Sequence, residues 1–200
     1  MTDVWFSRLV ASGQSLLGDL IEQGAELADL AGGYASPIER AMAVAMCVLC
    51  GVRYPEFEFC PEPGLSLQEA QARLASFGLK TRWGIVFPQV VVDDYRVDFL
   101  ILHSKGLKGT GGIVVECDGH VFHEKTKNQA ARDKARDRAL QERGFKVLRF
   151  TGSEIWKDAI GCADEAIGAA FSIAQDAELA RKCMQQGNVN GALRALHWVS

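Results

Sequence analysis

The stretch from Lys80 to Asp118 constrains the fold most, because short apolar segments rich in β-branched and aromatic residues follow one another there, separated by turn signals. Thr81 to Val86, Gln89 to Val92, Tyr95 to Leu102 and Gly112 to Asp118 read as three or four adjacent strands, mostly antiparallel. Asp93-Asp94 suits a tight turn, and His103 to Gly112, with four glycines, suits a flexible connection. Helical patterns stand on either side of these strands in the chain.

Those helices are legible. Apolar residues recur at helical spacing from Leu16 to Leu30, and the pattern breaks at Ala31-Gly-Gly-Tyr. A new helix starts at Ser36 as N-cap, with Pro37 at the first helical position and Glu39 placed as a capping-box acid, and it runs to Leu49. Ser66 to Phe77 forms another, stopped by Gly78. After the strands, Asn128 to Arg143 is helical and stops at Gly144. Phe145 to Phe150 is a further strand, and Ser153 caps the next helix. A helical extension follows from about Ala177, broken at Gly187 to Asn190. The expected fold is α/β (α+β): a mixed central sheet of about four to five strands flanked by helices. It divides into an N-terminal helical extension (1–35), a central domain (36–175) and a C-terminal helical extension (176–200).

Two hundred residues are enough to bury a core without disulfide or metal staples. The opening MTDVWFSRLVASGQSLLGDL puts two acids and a polar stretch among its apolar residues. No uninterrupted apolar run approaches the length of a membrane span. The six cysteines sit mostly inside apolar stretches without the spacing of a secreted scaffold, which predicts reduced thiols in a soluble, cytoplasmic chain.

Charge is distributed unevenly. The formal net charge is -3, yet residues 121–150 hold 9 basic and 4 acidic side chains, while residues 1–120 hold 9 and 15. A local cationic strip beside an acidic cluster suits a protein that holds phosphates with one and a cation with the other. A solvated helix face is the plainer reading of the same strip.

The acids carry the chemistry. In a strand over Gly112 to Asp118 side chains alternate, so Val114, Glu116 and Asp118 share a face. Two anions side by side beyond a hydrophobic run cost free energy unless something positive neutralises them, and a hard divalent cation with oxygen ligands does so. Asp98 is the acid inside the apolar run YRVDFLIL, on a strand expected to pair with that one. Each acid alone has a structural explanation. Asp118 precedes Gly119 and suits a turn, Glu116 could pair with Arg132 or Arg136, and Glu39 is accounted for by its cap. The set of three on neighbouring strands, followed by a basic helix, points to a metal site.

YRVDFLI, then IVVECDGHVFHEKT, then a helix carrying DKARDRAL, then GFKVLRFTGSEI together resemble the very-short-patch-repair-like branch of the PD-(D/E)XK (restriction-endonuclease-like) superfamily. That branch includes domain of unknown function 559, and the resemblance covers about residues 36–160. It implies a restriction-endonuclease-like core whose site comprises Glu39, Gln89, Asp98, Glu116 and Asp118, with Asp98, Glu116 and Asp118 as ligands of Mg²⁺ or Mn²⁺. It implies hydrolysis of DNA phosphodiesters, with RNA left open, and a homodimer is an open arrangement. The position of the superfamily's lysine is held here by Asp118. The general base is therefore unassigned among His120, His123, Lys125 and Gln129. Lys127, Arg132, Lys134 and Arg136 are the expected nucleic-acid contacts, Arg132 and Arg136 lying one turn apart.

Other signals point nowhere further. Cys47-x-x-Cys50 with Cys60 suggests zinc but lacks a fourth ligand at suitable spacing, and GLKGTGG lacks the Gly-Lys-Ser/Thr ending of a phosphate-binding loop. The alternatives to a nuclease are a nucleic-acid-binding or assembly protein that keeps the fold without the activity, and an interaction module built on the terminal helices.

Overall fold

Among the described residues five strands in the order β1-β2-β3-β4-β5 make one mixed sheet. The computed structural model describes Tyr34 and residues 36–76, 83–103, 112–119 and 127–196, the side chains of 127–131 excepted. The helix expected over Leu16 to Leu30 and the Gly78 stop lie outside the described residues.

The first described helix, α1 (Pro37–Val52), begins as its sequence dictates, with the Ser36 hydroxyl accepting from the Glu39 N–H and Pro37 in the first turn. It is followed by β1 (Phe57–Phe59), α2 (Leu67–Ser76), β2 (Gly84–Val92), β3 (Tyr95–His103) and β4 (Gly112–Asp118). Then come α3 (Lys127–Glu142), β5 (Phe145–Thr151), α4 (Gly152–Gln185) and α5 (Val189–Ala195). β2, β3 and β4 form an antiparallel meander, while β1 and β5 add parallel to β2 and β4 at its two sides.

Three details differ from the sequence reading. The two strands expected before Asp93 are one strand, β2, which passes through Pro88. Pro88 pairs with Phe99 of β3, while on the other side the chain leaves β2 after Cys60 and returns only at Gly64 and Leu65. A residue without an N–H is tolerated at such a gap. Ser153 is not the cap of the last long helix. Thr151 is, because its hydroxyl accepts from the Glu154 N–H and the Glu154 carboxylate accepts from the Thr151 N–H at 2.7 Å, a reciprocal capping box. No break falls near Ala177: α4 runs through it to Gln185, interrupted only by non-helical Asp158, and turns at Gly187 with φ 73°.

The sheet is covered on both faces. Ile38, Met42, Met46 and Leu49 of α1 and Ile155, Ala163, Ala166 and Ile167 of α4 pack on Val86, Phe99, Ile101, Ile113 and Val115. The alanines of α4 let it approach α1 and the sheet closely. The opposite face, with Ile85, Phe87, Val90, Leu100 and Val114, is covered by Ala70 of α2 and Leu140 of α3. Among its described side chains α3 buries only Leu140, so it is held to the sheet largely by polar contacts and shows its charge outward.

Candidate active site

β3 and β4 pair from Ile101–Ile113 to Phe99–Val115, and their registered pairing stops there. Beyond this point the Asp98 side chain fills the fork between them, with Oδ2 accepting from the Cys117 N–H at 2.7 Å. An acid inside an apolar strand thus satisfies a backbone donor that the diverging partner strand would leave unpaired.

Glu116 and Asp118 follow on β4 and fall opposite Arg149 and Thr151 of β5. Glu116 is 4% exposed and its Oε1 accepts from Arg136 Nη2 at 2.6 Å. The same Nη2 donates to the Arg96 carbonyl at 2.7 Å, which fastens α3 to β3. Asp118 receives Arg149 Nη1 at 3.3 and 3.4 Å, and Arg149 Nη2 donates to Asp137 of α3 at 2.6 Å.

Glu39 and Gln89 approach from the other side. Both are buried, and Gln89 Nε2 donates to Glu39 Oε2 at 2.7 Å. The Ser36 hydroxyl donates to Glu39 Oε1 at 2.9 Å, so the capping acid is shared between its helix start and the site. Gln89 lies where the β2–β3 register faces Asp98 and has φ 52°, a left-handed conformation that costs a non-glycine residue free energy. Its Oε1 is buried without a hydrogen-bond partner among the described residues.

The electrostatics follow from this crowding. The Asp98 carboxyl is pushed up to about 6 by burial first, and then by the Glu39 and Asp118 charges, against the lowering effect of the Cys117 N–H and Arg136. Glu116 is pushed up to about 8 by burial and by the Asp98 charge, which outweigh Arg136 and Arg149. Two neighbouring carboxylates that each resist ionisation, in spite of the two arginines beside them, mark a candidate functional site. Burial pushes the Cys117 thiol far up as well, so it serves as packing and not as a nucleophile.

The donor set fits a hard divalent cation, because Asp98, Glu116 and Asp118 offer only carboxylate oxygens and repel one another. As they stand, no three His, Cys, Asp or Glu side chains among the described residues are grouped to hold a metal ion. Glu116 is turned onto Arg136 and Asp118 onto Arg149, so binding a cation there requires those pairs to open.

The other expected site residues divide as follows. Arg132 and Lys134 are exposed on α3, whereas Arg136 points inward to the acids. His120, His123 and Lys125 lie outside the described residues, as do the side chains of Lys127 and Gln129. Arg149 and Asp137 belong to the site although their roles were not read from sequence. The strand GFKVLRF shows a basic residue but not the acid it will meet. All six cysteines are free thiols. A groove of about 740 Å³ between α1 and α4 is mostly apolar, lined by Val44, Val48, Trp156 and Ile160 among others, and none of the acids borders it.

The family model REase_MTES_1575, a restriction-endonuclease-like family, matches residues 73–169. The matched span carries Gln89, Asp98, Glu116, Asp118, Arg136 and Arg149 and leaves out α1 with Glu39. It supports the restriction-endonuclease-like nuclease superfamily, and the five-stranded mixed sheet between helices agrees with that core. It does not extend to the very-short-patch-repair-like branch. No curated protein and no solved structure matches the chain. No helix among the described residues is long and apolar enough to cross a membrane.

Proposed function

We propose that the chain is a metal-dependent endonuclease that hydrolyses DNA phosphodiesters, a reading that rests above all on half-buried Asp98 and buried Glu116 held together beside Asp118. Asp98, Glu116 and Asp118 would hold Mg²⁺ or Mn²⁺. When bound, such an ion lowers the pKa of attacking water and offsets charge on the phosphate. Asp98 is fixed through Oδ2 by the Cys117 N–H, which holds its carboxylate in place for this purpose. Glu39 and Gln89 brace the opposite wall through their hydrogen bond, and Gln89 Oε1, which has no partner among the described residues, is a further oxygen at the site. Exposed Arg132 and Lys134 hold the backbone of the nucleic acid along α3.

The test is cleavage of supercoiled plasmid, linear duplex and single-stranded DNA in Mg²⁺, Mn²⁺ or EDTA, comparing wild type with Asp98→Ala and Glu116→Ala. The expected result is cutting that needs the cation and is lost in both variants. Cutting in EDTA, or variants that cut like wild type, would refute the assignment. A second reading, a binding or assembly module that keeps the fold, is favoured by the Arg136–Glu116 and Arg149–Asp118 pairs, which neutralise two of the acids without any cation. DNA binding without cleavage under every condition would favour it.

A further inference from the structure

Arg149 is held very unequally at its two ends. Nη2 meets Asp137 at 2.6 Å, within the range of a strong charge-assisted bond, whereas Nη1 lies 3.3 and 3.4 Å from the two Asp118 oxygens. Asp137 is the anchor and Asp118 the loose partner. Arg136 differs, since its one Nη2 is bound tightly to both Glu116 and the Arg96 carbonyl, and it fastens α3 to the sheet. A side chain that is 27% exposed, anchored at one nitrogen and loosely placed over an acid at the other, is built to change partners.

We propose that Arg149 is a phosphate-binding residue of this site, positioned by Asp137, and that it exchanges Asp118 for the DNA backbone when a divalent cation takes that carboxylate. The inference rests on the nuclease reading above. The exchange breaks one ion pair and makes one, with no covalent step. The cation that claims Asp118 leaves Nη1 without its acceptor in a partly dry site, where an unpaired guanidinium donor is costly. A phosphate oxygen is the anion that arrives with this substrate, and the planar fork suits it. Asp137 on α3 keeps the guanidinium from following its lost partner into solvent. In the cation-free state the same contact masks Asp118, so cation and arginine compete for one carboxylate.

This competition predicts effects of opposite sign, which a purely structural ion pair would not give. The experiment uses the full chain, a short fluorescent duplex and Ca²⁺ as a hard, oxygen-seeking probe cation, with intact duplex checked on a gel and Ca²⁺ affinity of the protein alone measured by calorimetry. Arg149→Met should weaken duplex binding in Ca²⁺ about tenfold or more while the protein alone binds Ca²⁺ more tightly than wild type. Asp137→Asn touches neither ligand and should weaken duplex binding in the same direction, with Ca²⁺ affinity unchanged. Arg149→Lys keeps the charge and the fold but not the fork, so it should recover only part of the loss. Loss of Ca²⁺ affinity and duplex binding together in Asp137→Asn and Arg149→Lys would show that Arg149 merely holds Asp118 in place, and would overturn the proposal. So would duplex binding by Arg149→Met equal to wild type while Asp98→Ala abolishes cleavage, which leaves the nuclease reading intact. A wild-type protein that binds no Ca²⁺ and cuts no DNA would sink the nuclease reading and this inference with it.

Discussion

Replacing Glu116 by Gln should stabilise the cation-free protein at alkaline pH and leave it nearly unchanged in acid. Glutamine keeps the oxygen that accepts from Arg136 Nη2 and removes only the charge. The carboxyl is raised from 4.5 to about 8, so the neutral form is the one the fold prefers. The stability this neutral side chain contributes is whole below 4.5 and is lost progressively as the pH climbs to about 8. One pKa unit corresponds to about 1.4 kcal/mol, so the wild type forfeits roughly 3 kcal/mol by pH 7 and at most roughly 5 kcal/mol above pH 8. For a chain of this size about 1 kcal/mol moves the melting temperature by roughly 2 to 4 °C, so the two proteins should separate by roughly 6 to 12 °C at neutral pH. The assay is a set of thermal melts in EDTA from pH 5 to 9. Melting temperatures that run parallel across this range would refute the reasoning. A variant less stable than wild type at pH 9 would show that Arg136 outweighs burial and the Asp98 charge.

Two further outcomes follow from the fold. Thr151→Ala removes the capping box of α4 and should cost about 1 kcal/mol in urea denaturation, whereas Ser153→Ala should stay within about 0.5 kcal/mol; equal effects would reject Thr151 as the cap. Gly84→Ala would place a Cβ 2.5 Å from the Leu102 carbonyl and against the Phe57 ring, so β1, β2 and β3 must spread. A loss of roughly 1 to 3 kcal/mol is expected, and an unchanged denaturation midpoint would show that the strands yield freely there.

What the sequence made legible is local or periodic. The alternation in GIVVECD placed Glu116 and Asp118 together, and Ser36-Pro37 marked the start of α1, because both signals lie within a few residues of their effect. β1 is three residues long, sits between Pro55 and Pro61, and exists through its parallel register with Gly84–Val86, a partner more than twenty residues away. The passage of β2 through Pro88 depends likewise on where a different segment leaves the sheet edge. Gln89 appeared as a polar residue at a strand start, but its inverted backbone and bond to Glu39 come from packing. Arg149 was lost among nine basic residues of its region for the same reason, since the distance to Asp137 is set by how α3 lies on the sheet. Thr151 and Ser153 are both acceptable caps by composition, and the end of β5 decides between them.

The order of the strands also bears on how the protein avoids its own kind. Among the described residues the sheet ends at β1 on one side and β5 on the other, and an open edge is a template on which a second chain can add a strand. At β1 that template is only three residues long. At β5 it carries exposed Lys146 and half-buried Arg149, so an identical strand brought alongside would meet like charge. Exposed Lys146 is therefore the charge that discourages edge-to-edge pairing here, because the Arg149 guanidinium is already matched by Asp118 and Asp137.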